Sequence, residues 1–457
     1  MNLLFISNYS LTPLYIEVGK YLKEKGYKIY WIVCSNEWEL ILKKEFDESC
    51  ITRLKRNIIN NKYQNFDVYI PLNEVLYIDR EIKCWQSSES SKYLINLHDI
   101  IKNVLISNSI DCVFSENTWA HEIICAMLCQ IDPEISAKHF SAHPVRIPDG
   151  RFAFFKDFLL YKLTSVSNVK SPLDLSDFFP ENKEITIQDN VIVKRNTSLL
   201  YWYSKLVNFL TRPLMDIQDP TWNGAGRINS LSRAGSHLFR SLTYRFVYKL
   251  DVSKLDEMSK KYKLYVYAFH KEPETAINNK GRYYENQYQC ILNIWRKLPQ
   301  GSILLLKEHR VSIGDRGYFY FKKLVRLGNV FVLPENIPFE MLLKYCDACI
   351  TISGTMAYEF ALHNKVGITF AKTYFNKLKY SINLTNDDLT KGTNLDAIIR
   401  EKVSRNMAMS NLEYCKYLSS RSYEGCIGDV NNLPEVMNAS NIEKVCTGFQ
   451  DLISGSI

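Results

Sequence analysis

Short apolar runs alternate with amphipathic stretches along most of the chain. The run "NLLFISN" at the N-terminus ends in polar residues, and the stretch "LTPLYIEVGKYLKEKGYKIYWIVCSN" that follows has apolar positions at helical spacing before a second apolar run. Gly26 lies where the C-cap of the helix is expected. A strand, a helix and a parallel strand are therefore predicted. The strand-then-helix pattern returns in "IDCVFSEN" and "TWAHEIICAMLCQ".

A second series of the same kind begins near residue 261. Five apolar runs in it predict strands, and amphipathic stretches between them predict helices; the runs are "KLYVYAFH", "SILLLKEH", "NVFVLP", "ACITIS" and "KVGITFA". Strands that alternate with helices through short connections favour doubly wound parallel sheets. We predict an α/β protein with two Rossmann-like domains that face a central cleft.

The two series and the stretches around them predict four segments. Residues 1–180 would form an N-terminal Rossmann-like domain and residues 256–400 a C-terminal Rossmann-like domain. Residues 181–255 would be a basic, aromatic, helical insertion between them, and residues 401–457 a C-terminal helical segment.

Bulk composition fits a soluble globular protein. The 457 residues are 46% hydrophobic and 23% charged, which is ordinary for this class. No run of 18 apolar residues predicts a membrane-spanning helix, and the N-terminus reads as a strand and not as a signal peptide. We therefore expect a cytoplasmic protein whose 12 cysteines are reduced and mostly buried. "CDAC" (346–349) has no second pair at zinc-finger distance, so no metal is expected.

Positive charge concentrates in the predicted insertion. Between Val193 and Lys249 there are nine Lys/Arg against two Asp, a net +7 of the chain's +8. Aromatic residues interleave these charges. The pattern suits peripheral contact with an anionic membrane. The alternative is that the aromatic residues form part of a core and the charged residues form a solvated face. We expect no nucleic-acid partner.

Polar clusters end several predicted strands of the second series, where ligands bind in doubly wound folds. Candidate nucleotide-binding residues are His270, Glu274, Lys307, His309, Ser353, Gly354, Thr355 and Glu359. The start of the helix after Ile352 suits a phosphate, and glycine lets the backbone approach it. His309 would donate a proton or hydrogen bond to a phosphate oxygen. Helix capping and a solvated loop explain the same residues without a ligand.

In the first series, Glu116 follows a strand, and Asp149 lies between Arg146 and Arg151. A carboxylate that faces an anionic donor could act as general base for an acceptor hydroxyl, and the two arginines are candidates to bind the acceptor. "PDG" (148–150) is equally a turn signature, so both carboxylates stay open.

Six elements together resemble the capsule polysaccharide biosynthesis family and allied surface-carbohydrate proteins. They are "FHKEPE" (269–274), "KEHR" (307–310), "YFYFKKL" (318–324), "NVFVLP" (329–334), "TISGTMAYEF" (351–360) and "NKVGITF" (364–370). They cover about a quarter of the chain. Arg310 stands where the family pattern has proline, and Val366–Gly367 where it has Pro-Val.

The resemblance implies a GT-B glycosyltransferase, similar to Kdo transferases, that uses a CMP-activated acidic sugar to build a surface glycan. It implies that His309 and the Ser353–Thr355 loop hold the nucleotide phosphate and that an N-terminal carboxylate is the base. Residues 1–180 would then be the acceptor domain and residues 256–400 the nucleotide-sugar domain. A nucleotide-sugar donor is then a co-substrate, no cofactor is expected, and the acceptor is a glycan or a lipid-linked glycan. The cytoplasmic protein would make its peripheral membrane contact at the inner face of the plasma membrane. The alternatives are a sugar-nucleotide epimerase on the same scaffold and a non-catalytic assembly subunit.

Overall fold

The computed structural model of the chain describes residues 1–8, 11–57, 70–165, 172–179, 203, 219–221, 226–272, 274–405, 408–431 and 433–455. The chain forms two compact units. Unit 1 is Met1–Phe179, Arg212–Arg227 and Cys415–Ile457, and unit 2 is Pro180–Thr211 and Ile228–Tyr414.

The described strands are β1 (Asn2–Ile6), β2 (Lys28–Val33), β3 (Ile51–Arg53), β4 (Cys112–Phe114), β5 (Lys138–Pro144), β6 (Arg151–Phe155), β7 (Lys263–Ala268), β8 (Ser302–Lys307), β9 (Val330–Val332), β10 (Ala348–Thr351), β11 (Val366–Thr369), β12 (Ser381–Asn383) and β13 (Tyr423–Glu424).

The described α-helices are α1 (Thr12–Glu24), α2 (Asn36–Glu45), α3 (Leu72–Ile78), α4 (Ser87–Ser107), α5 (Ala120–Ile131), α6 (Gly226–Tyr244), α7 (Leu255–Lys261), α8 (Thr275–Asn278), α9 (Gln287–Lys297), α10 (Tyr318–Val325), α11 (Phe339–Tyr345), α12 (Thr355–Leu362), α13 (Asn386–Thr390), α14 (Leu395–Arg405), α15 (Asn411–Ser419) and α16 (Ala439–Gly455).

Unit 1 is built on a sheet of order β13-β6-β5-β4-β1-β2-β3. The strands from β3 to β5 are parallel, and β6 and β13 extend the sheet in the antiparallel sense. Residues 3–6 of β1 are buried on both faces, as expected for a central strand between two helical layers. Gly26, at φ +88°, follows α1 in the left-handed region, which favours glycine.

The strand "RFAFF" (β6) pairs antiparallel with β5 and forms a hairpin with it. All five residues of β6 are buried. The hairpin turn, residues 145–150, carries Arg146 and Asp149.

The C-terminal segment completes unit 1. The sequence set residues 401–457 apart as a helical segment, whereas in the structure residues 415–457 belong to unit 1. The reason is the apolar face of α16: Val445, Phe449 and Ile453 are buried in the same core as Phe5 and Phe114 of the sheet. Phe449 lies 4.9 Å from Phe114, ring centre to ring centre.

Unit 2 has a six-stranded sheet of order β12-β11-β10-β7-β8-β9, and each adjacent pair is parallel. This is a doubly wound order: β8 and β9 are added on one side of β7, and β10, β11 and β12 on the other. The strand order therefore reverses between β7 and β10. Gly367 in β11 is needed for helix–sheet packing, because a Cβ there would lie 1.9 Å from the Ala357 carbonyl oxygen of α12. The prediction of an α/β fold with two Rossmann-like units is confirmed.

The predicted insertion, 181–255, lies largely outside the described residues. Its described part includes α6, whose end is anchored in unit 2 by the buried side chains of Tyr244 and Val247. Among the helices that the structure describes, none is long and apolar enough to cross a membrane.

Candidate active site

The carboxyl ends of three neighbouring strands converge in unit 2. β7 pairs with β10 on one side and with β8 on the other, with Ala268 opposite Lys307 and Tyr267 opposite Ile350. The loops after these strands therefore bring His270, His309 and Ser353 to one edge of the sheet, at the point where the strand order reverses. Ligands bind at this point in open α/β sheets.

His270 links the first and third of these loops. The Ser353 backbone N–H donates to His270 Nε2 at 3.1 Å, and the Thr351 hydroxyl lies 2.8 Å from the same nitrogen. Burial lowers the pKa of His270 to about 3, with smaller contributions from nearby cationic groups. The imidazole is therefore neutral at pH 7, and in this structure it holds the Ser353 loop in place.

The Ser353–Thr355 loop begins α12. The Ser353 hydroxyl donates to the Ala276 carbonyl at 3.0 Å. A Cβ at Gly354 would lie 2.8 Å from the Thr351 hydroxyl oxygen and 3.3 Å from His270 Nε2, so the loop packs closely on the histidine. The first N–H groups of α12 have no partner within the helix and suit an anion.

His309 is exposed after β8, and Lys307 is half-buried at the end of the strand. The Val311 backbone N–H donates to His309 Nδ1 at 3.3 Å. In the neutral ring the proton then lies on Nε2, which can donate to a phosphate oxygen. Arg310 reaches the Glu335 and Asn336 carbonyls, each at 3.4 Å, so this departure from the family pattern attaches the loop to the segment after β9.

A buried ion pair lies next to this edge. Arg316 Nη1 donates to Glu308 Oε1 at 2.8 Å, and Arg316 Nη2 donates to the His270 carbonyl at 2.7 Å. Glu308 is completely buried, and burial raises its pKa to about 7 even though Arg316 acts in the opposite direction. Arg316 thereby connects the His270 loop to the strand end that carries His309.

The two remaining candidate nucleotide-binding residues, Glu359 and Glu274, differ in their exposure to solvent. Glu359 is half-buried in the second turn of α12, and Glu274 is exposed immediately before α8. Their roles stay predictions.

In unit 1 the corresponding reversal of strand order lies between β1 and β4, and a second polar cluster occupies it. Asn8, after β1, donates from Nδ2 to Glu116 Oε2, after β4, at 2.7 Å. Glu122 of α5 accepts the backbone N–H groups of Glu116, Thr118 and Trp119 at 2.8–3.0 Å. Glu122 thus holds the loop, and Asn8 orients the Glu116 carboxyl.

Glu116 is only partly exposed at this edge. Burial, Glu122 and Asp429 raise its pKa to about 8, and Arg80 lowers it slightly. A carboxyl with a pKa near the working pH is suited to general base catalysis.

The other candidates of the N-terminal half lie in or beside the β5–β6 hairpin. Asp149 is exposed in the turn and accepts the Gly150 N–H at 2.8 Å, and Arg146 is also exposed. Arg151 is buried and donates to the hydroxyl and the carbonyl of Ser422 at 3.0 and 2.8 Å. These contacts tie the hairpin to the C-terminal segment, and the structure does not bring Asp149 or Arg151 into contact with Glu116.

A pocket opens beside Asn8 in unit 1. Two partly exposed tryptophans, Trp38 and Trp119, line it together with Cys34, Ser35 and His121. Sequence analysis missed this pocket, Asn8 and Arg316. A polar residue directly after the first strand was the available signal for Asn8, whereas the partner of Arg316 depends on tertiary structure.

Among the described residues, no group of three or more His, Cys, Asp or Glu is arranged to hold a metal ion. The absence of a metal requirement stays a prediction.

No protein-family model and no curated protein matches the chain. Among solved structures it is similar to the Thermosulfurimonas dismutans β-Kdo 2,7 transferase KpsC, with 8% identity, TM-score 0.38, and 97% of this chain and 100% of that chain covered. It is similar to Anabaena Alr3699/HepE in complex with UDP and glucose, with 10% identity, TM-score 0.25 and 100% of both chains covered. It is also similar to the Methanocaldococcus jannaschii UDP-GlcNAc 2-epimerase, with 13% identity, TM-score 0.22, and 92% and 91% covered. Similarities this low assign no activity to the chain.

Proposed function

We propose that the chain is a glycosyltransferase of cell-surface polysaccharide synthesis, which transfers a sugar from a nucleotide donor to a glycan hydroxyl. The observation that carries the proposal is the convergence of the His270, His309 and Ser353 loops at the reversal point of the unit 2 sheet. The His270–Ser353 contact supports the proposal, because a neutral histidine, and not a charged group, holds the start of α12 in place for an anion.

The donor proposed is a CMP-activated acidic sugar such as Kdo. This choice rests on the six sequence elements that resemble the capsule polysaccharide family. Lys307 would neutralise charge on the phosphate of the nucleotide, His309 would donate a hydrogen bond to a phosphate oxygen, and Glu359 would accept hydrogen bonds from ribose hydroxyls.

The proposed chemistry is attack of an acceptor hydroxyl on the anomeric carbon of the donor. Glu116 removes the proton of the hydroxyl, the bond from the anomeric carbon to the phosphate oxygen breaks, and the nucleotide leaves with its negative charge. The start of α12 and His309 stabilise that charge. Glu116 is preferred to Asp149 as base because its carboxyl is oriented by Asn8 and its pKa is raised.

Replacing His309 by alanine tests the nucleotide site. We expect His309→Ala to weaken nucleotide binding by about 1.5–3 kcal/mol, the usual loss for a charge-assisted hydrogen bond, in calorimetric titrations with CMP, UDP and GDP. His363→Ala is the matched control, because His363 is an exposed histidine at the opposite end of α12. Equal affinity of the wild type and a folded His309→Ala variant would reject the site.

Peripheral membrane contact is the second part of the proposal. On and after α6, the apolar side chains of Phe239 and Phe246 are 57% and 76% exposed, next to the exposed Arg240 and Arg245. Exposed aromatic and basic residues together suit a membrane interface with anionic lipid. Trp202, Phe209, Trp222 and the side chain of Arg233, which belong to the same prediction, lie outside the described residues.

We expect binding to phosphatidylserine-containing vesicles that falls steeply with salt and is lost on replacing Arg233, Arg240 and Arg245 by serine. Lys322, Lys323 and Arg326, changed together to serine, form the control because they remove the same charge from exposed positions elsewhere in unit 2. Equal loss in both triple variants, or equal binding to neutral vesicles, would contradict docking through this segment. Vesicle co-sedimentation measures it.

A further inference from the structure

A glutamine side chain pairs with the backbone of His270. The pairing of β7 with β8 ends just before this residue: Ala268 lies opposite Lys307, and the Phe269 N–H donates to the Lys307 carbonyl at 3.0 Å. Beyond that point Gln287 Oε1 accepts the His270 N–H at 2.9 Å, and Gln287 Nε2 donates to the His270 carbonyl at 3.2 Å. The amide of Gln287 offers one acceptor and one donor, as the residue of a neighbouring strand does, and so it pairs with the backbone where the ladder has ended.

Arg316 reinforces this pairing. Gln287 Nε2 and Arg316 Nη2 both donate to the His270 carbonyl, and both also donate to Glu272 Oε1. Gln287 is 2% exposed and Arg316 is 4% exposed, so water does not compete for these donors. A hydrogen bond in such a buried setting is stronger than the same bond in water. The His270 backbone is therefore held in one position.

The ring of His270 passes this fixed position on to the Ser353 loop. Its Nε2 accepts the Ser353 N–H at 3.1 Å, and an imidazole nitrogen that accepts a hydrogen bond carries no proton. The neutral ring therefore carries its proton on Nδ1. The Ser353 hydroxyl donates to the Ala276 carbonyl at 3.0 Å, so both polar groups of Ser353 are used to orient the loop.

We infer that Gln287 and His270 are positioning residues of the nucleotide site: Gln287 fixes the His270 backbone, and the His270 ring holds the Ser353 loop at the start of α12. The inference rests on the proposed function. It adds Gln287, which lies 17 residues from His270 in the chain, to the groups that the site needs. His270, a candidate to bind the nucleotide in the sequence, acts through Ser353.

Calorimetric titration with CMP tests the inference, at a temperature where all variants are folded. Gln287→Met keeps the length of the side chain and removes both hydrogen bonds to His270. We expect CMP to bind about tenfold more weakly, the factor that corresponds to the loss of one neutral hydrogen bond. If Gln287 only satisfied buried backbone groups, its loss would lower the free energy of unfolding and leave CMP affinity unchanged.

Asn286→Ala is the matched control. Asn286 precedes Gln287 and caps the same helix, α9, by accepting the Gln289 N–H at 3.1 Å. Loss of an N-cap destabilises a helix, so this variant should unfold at lower urea concentration than the wild type. Its CMP affinity should equal that of the wild type, because the pairing with His270 remains.

NMR of protein labelled with ¹⁵N in histidine tests the His270 contact without a change at Gln287. Long-range ¹H–¹⁵N correlations distinguish the two neutral tautomers, and the spectrum of His270→Asn identifies the His270 signal among the eight histidines. We expect the Nδ1–H tautomer at His270 in the wild type at pH 7. We expect CMP to leave this tautomer unchanged, because Nε2 accepts the Ser353 N–H with and without the nucleotide.

Three results would overturn the inference and leave the nucleotide site standing. They are unchanged CMP affinity in a folded Gln287→Met variant, an equal loss of affinity in Asn286→Ala, and a protonated or Nε2–H form of His270 in the wild type. Absence of CMP, UDP and GDP binding by the wild type would overturn the inference together with the proposed function.

Discussion

Glu116→Gln is expected to lower the rate of sugar transfer by about 10²–10⁴, the usual loss when a general base is removed. The glutamine keeps the shape of the side chain and can still accept the Asn8 amide, so the loop should stay in place. CMP affinity should not change, because the nucleotide candidates belong to unit 2. Release of CMP from the donor in the presence of acceptor measures the rate.

The pH profile checks the same assignment. The base works deprotonated, and the pKa of Glu116 is raised to about 8, so the rate should rise with pH and level off near that value. The rise should be absent in Glu116→Gln. Asp149→Asn removes the competing carboxylate, which is exposed in the hairpin turn. A larger loss in Asp149→Asn than in Glu116→Gln would assign the base to the hairpin.

Arg316→Met is expected to destabilise unit 2 by about 3–5 kcal/mol, as found when one partner of a buried ion pair is removed. Arg316 is 4% exposed and Glu308 is fully buried, so the substitution leaves a carboxyl with no compensating charge. Glu308 can then become neutral by binding a proton. The destabilisation should therefore be smaller at low pH and grow above the raised pKa of Glu308, by up to about 1.4 kcal/mol per pH unit. Urea unfolding at several pH values measures it.

The double variant Glu308→Gln/Arg316→Met isolates the cause, because it contains no buried charge at this position and should recover part of the lost stability. Arg326→Met, at an exposed site of the same unit, should change stability by no more than about 0.5 kcal/mol. A loss of stability in Arg316→Met that does not vary with pH would contradict the role assigned to the ion pair.

Much of the fold follows from hydrophobic periodicity. Runs such as "SILLLK" are buried strands in the structure, and the rule that ligands bind at the carboxyl ends of parallel strands brings His270, His309 and Ser353 together before any coordinates are known. The positions of these three residues in the sequence are enough to predict that they come together, because each lies within a few residues of the end of its own strand.

The remaining features depend on contacts that periodicity does not encode. Asn8 and Glu116 are 108 residues apart in the chain, and nothing local in either segment specifies the other. Charged residues in a loop normally predict exposure to solvent, but Arg316 and Glu308 are buried against each other. The apolar face of α16 shows that the helix is buried but not against which sheet, so its place in unit 1 required the structure.

The fate of a nucleotide sugar distinguishes a glycosyltransferase from an epimerase. Incubation of the protein with CMP-Kdo, and separately with UDP-GlcNAc, can be followed by NMR with and without a surface-glycan acceptor. We expect that CMP is released from CMP-Kdo, that a glycan acceptor increases the release, and that UDP-GlcNAc is not epimerised. Interconversion of UDP-GlcNAc with its 2-epimer, or no turnover of CMP-Kdo in the presence of acceptors that bind, would contradict it.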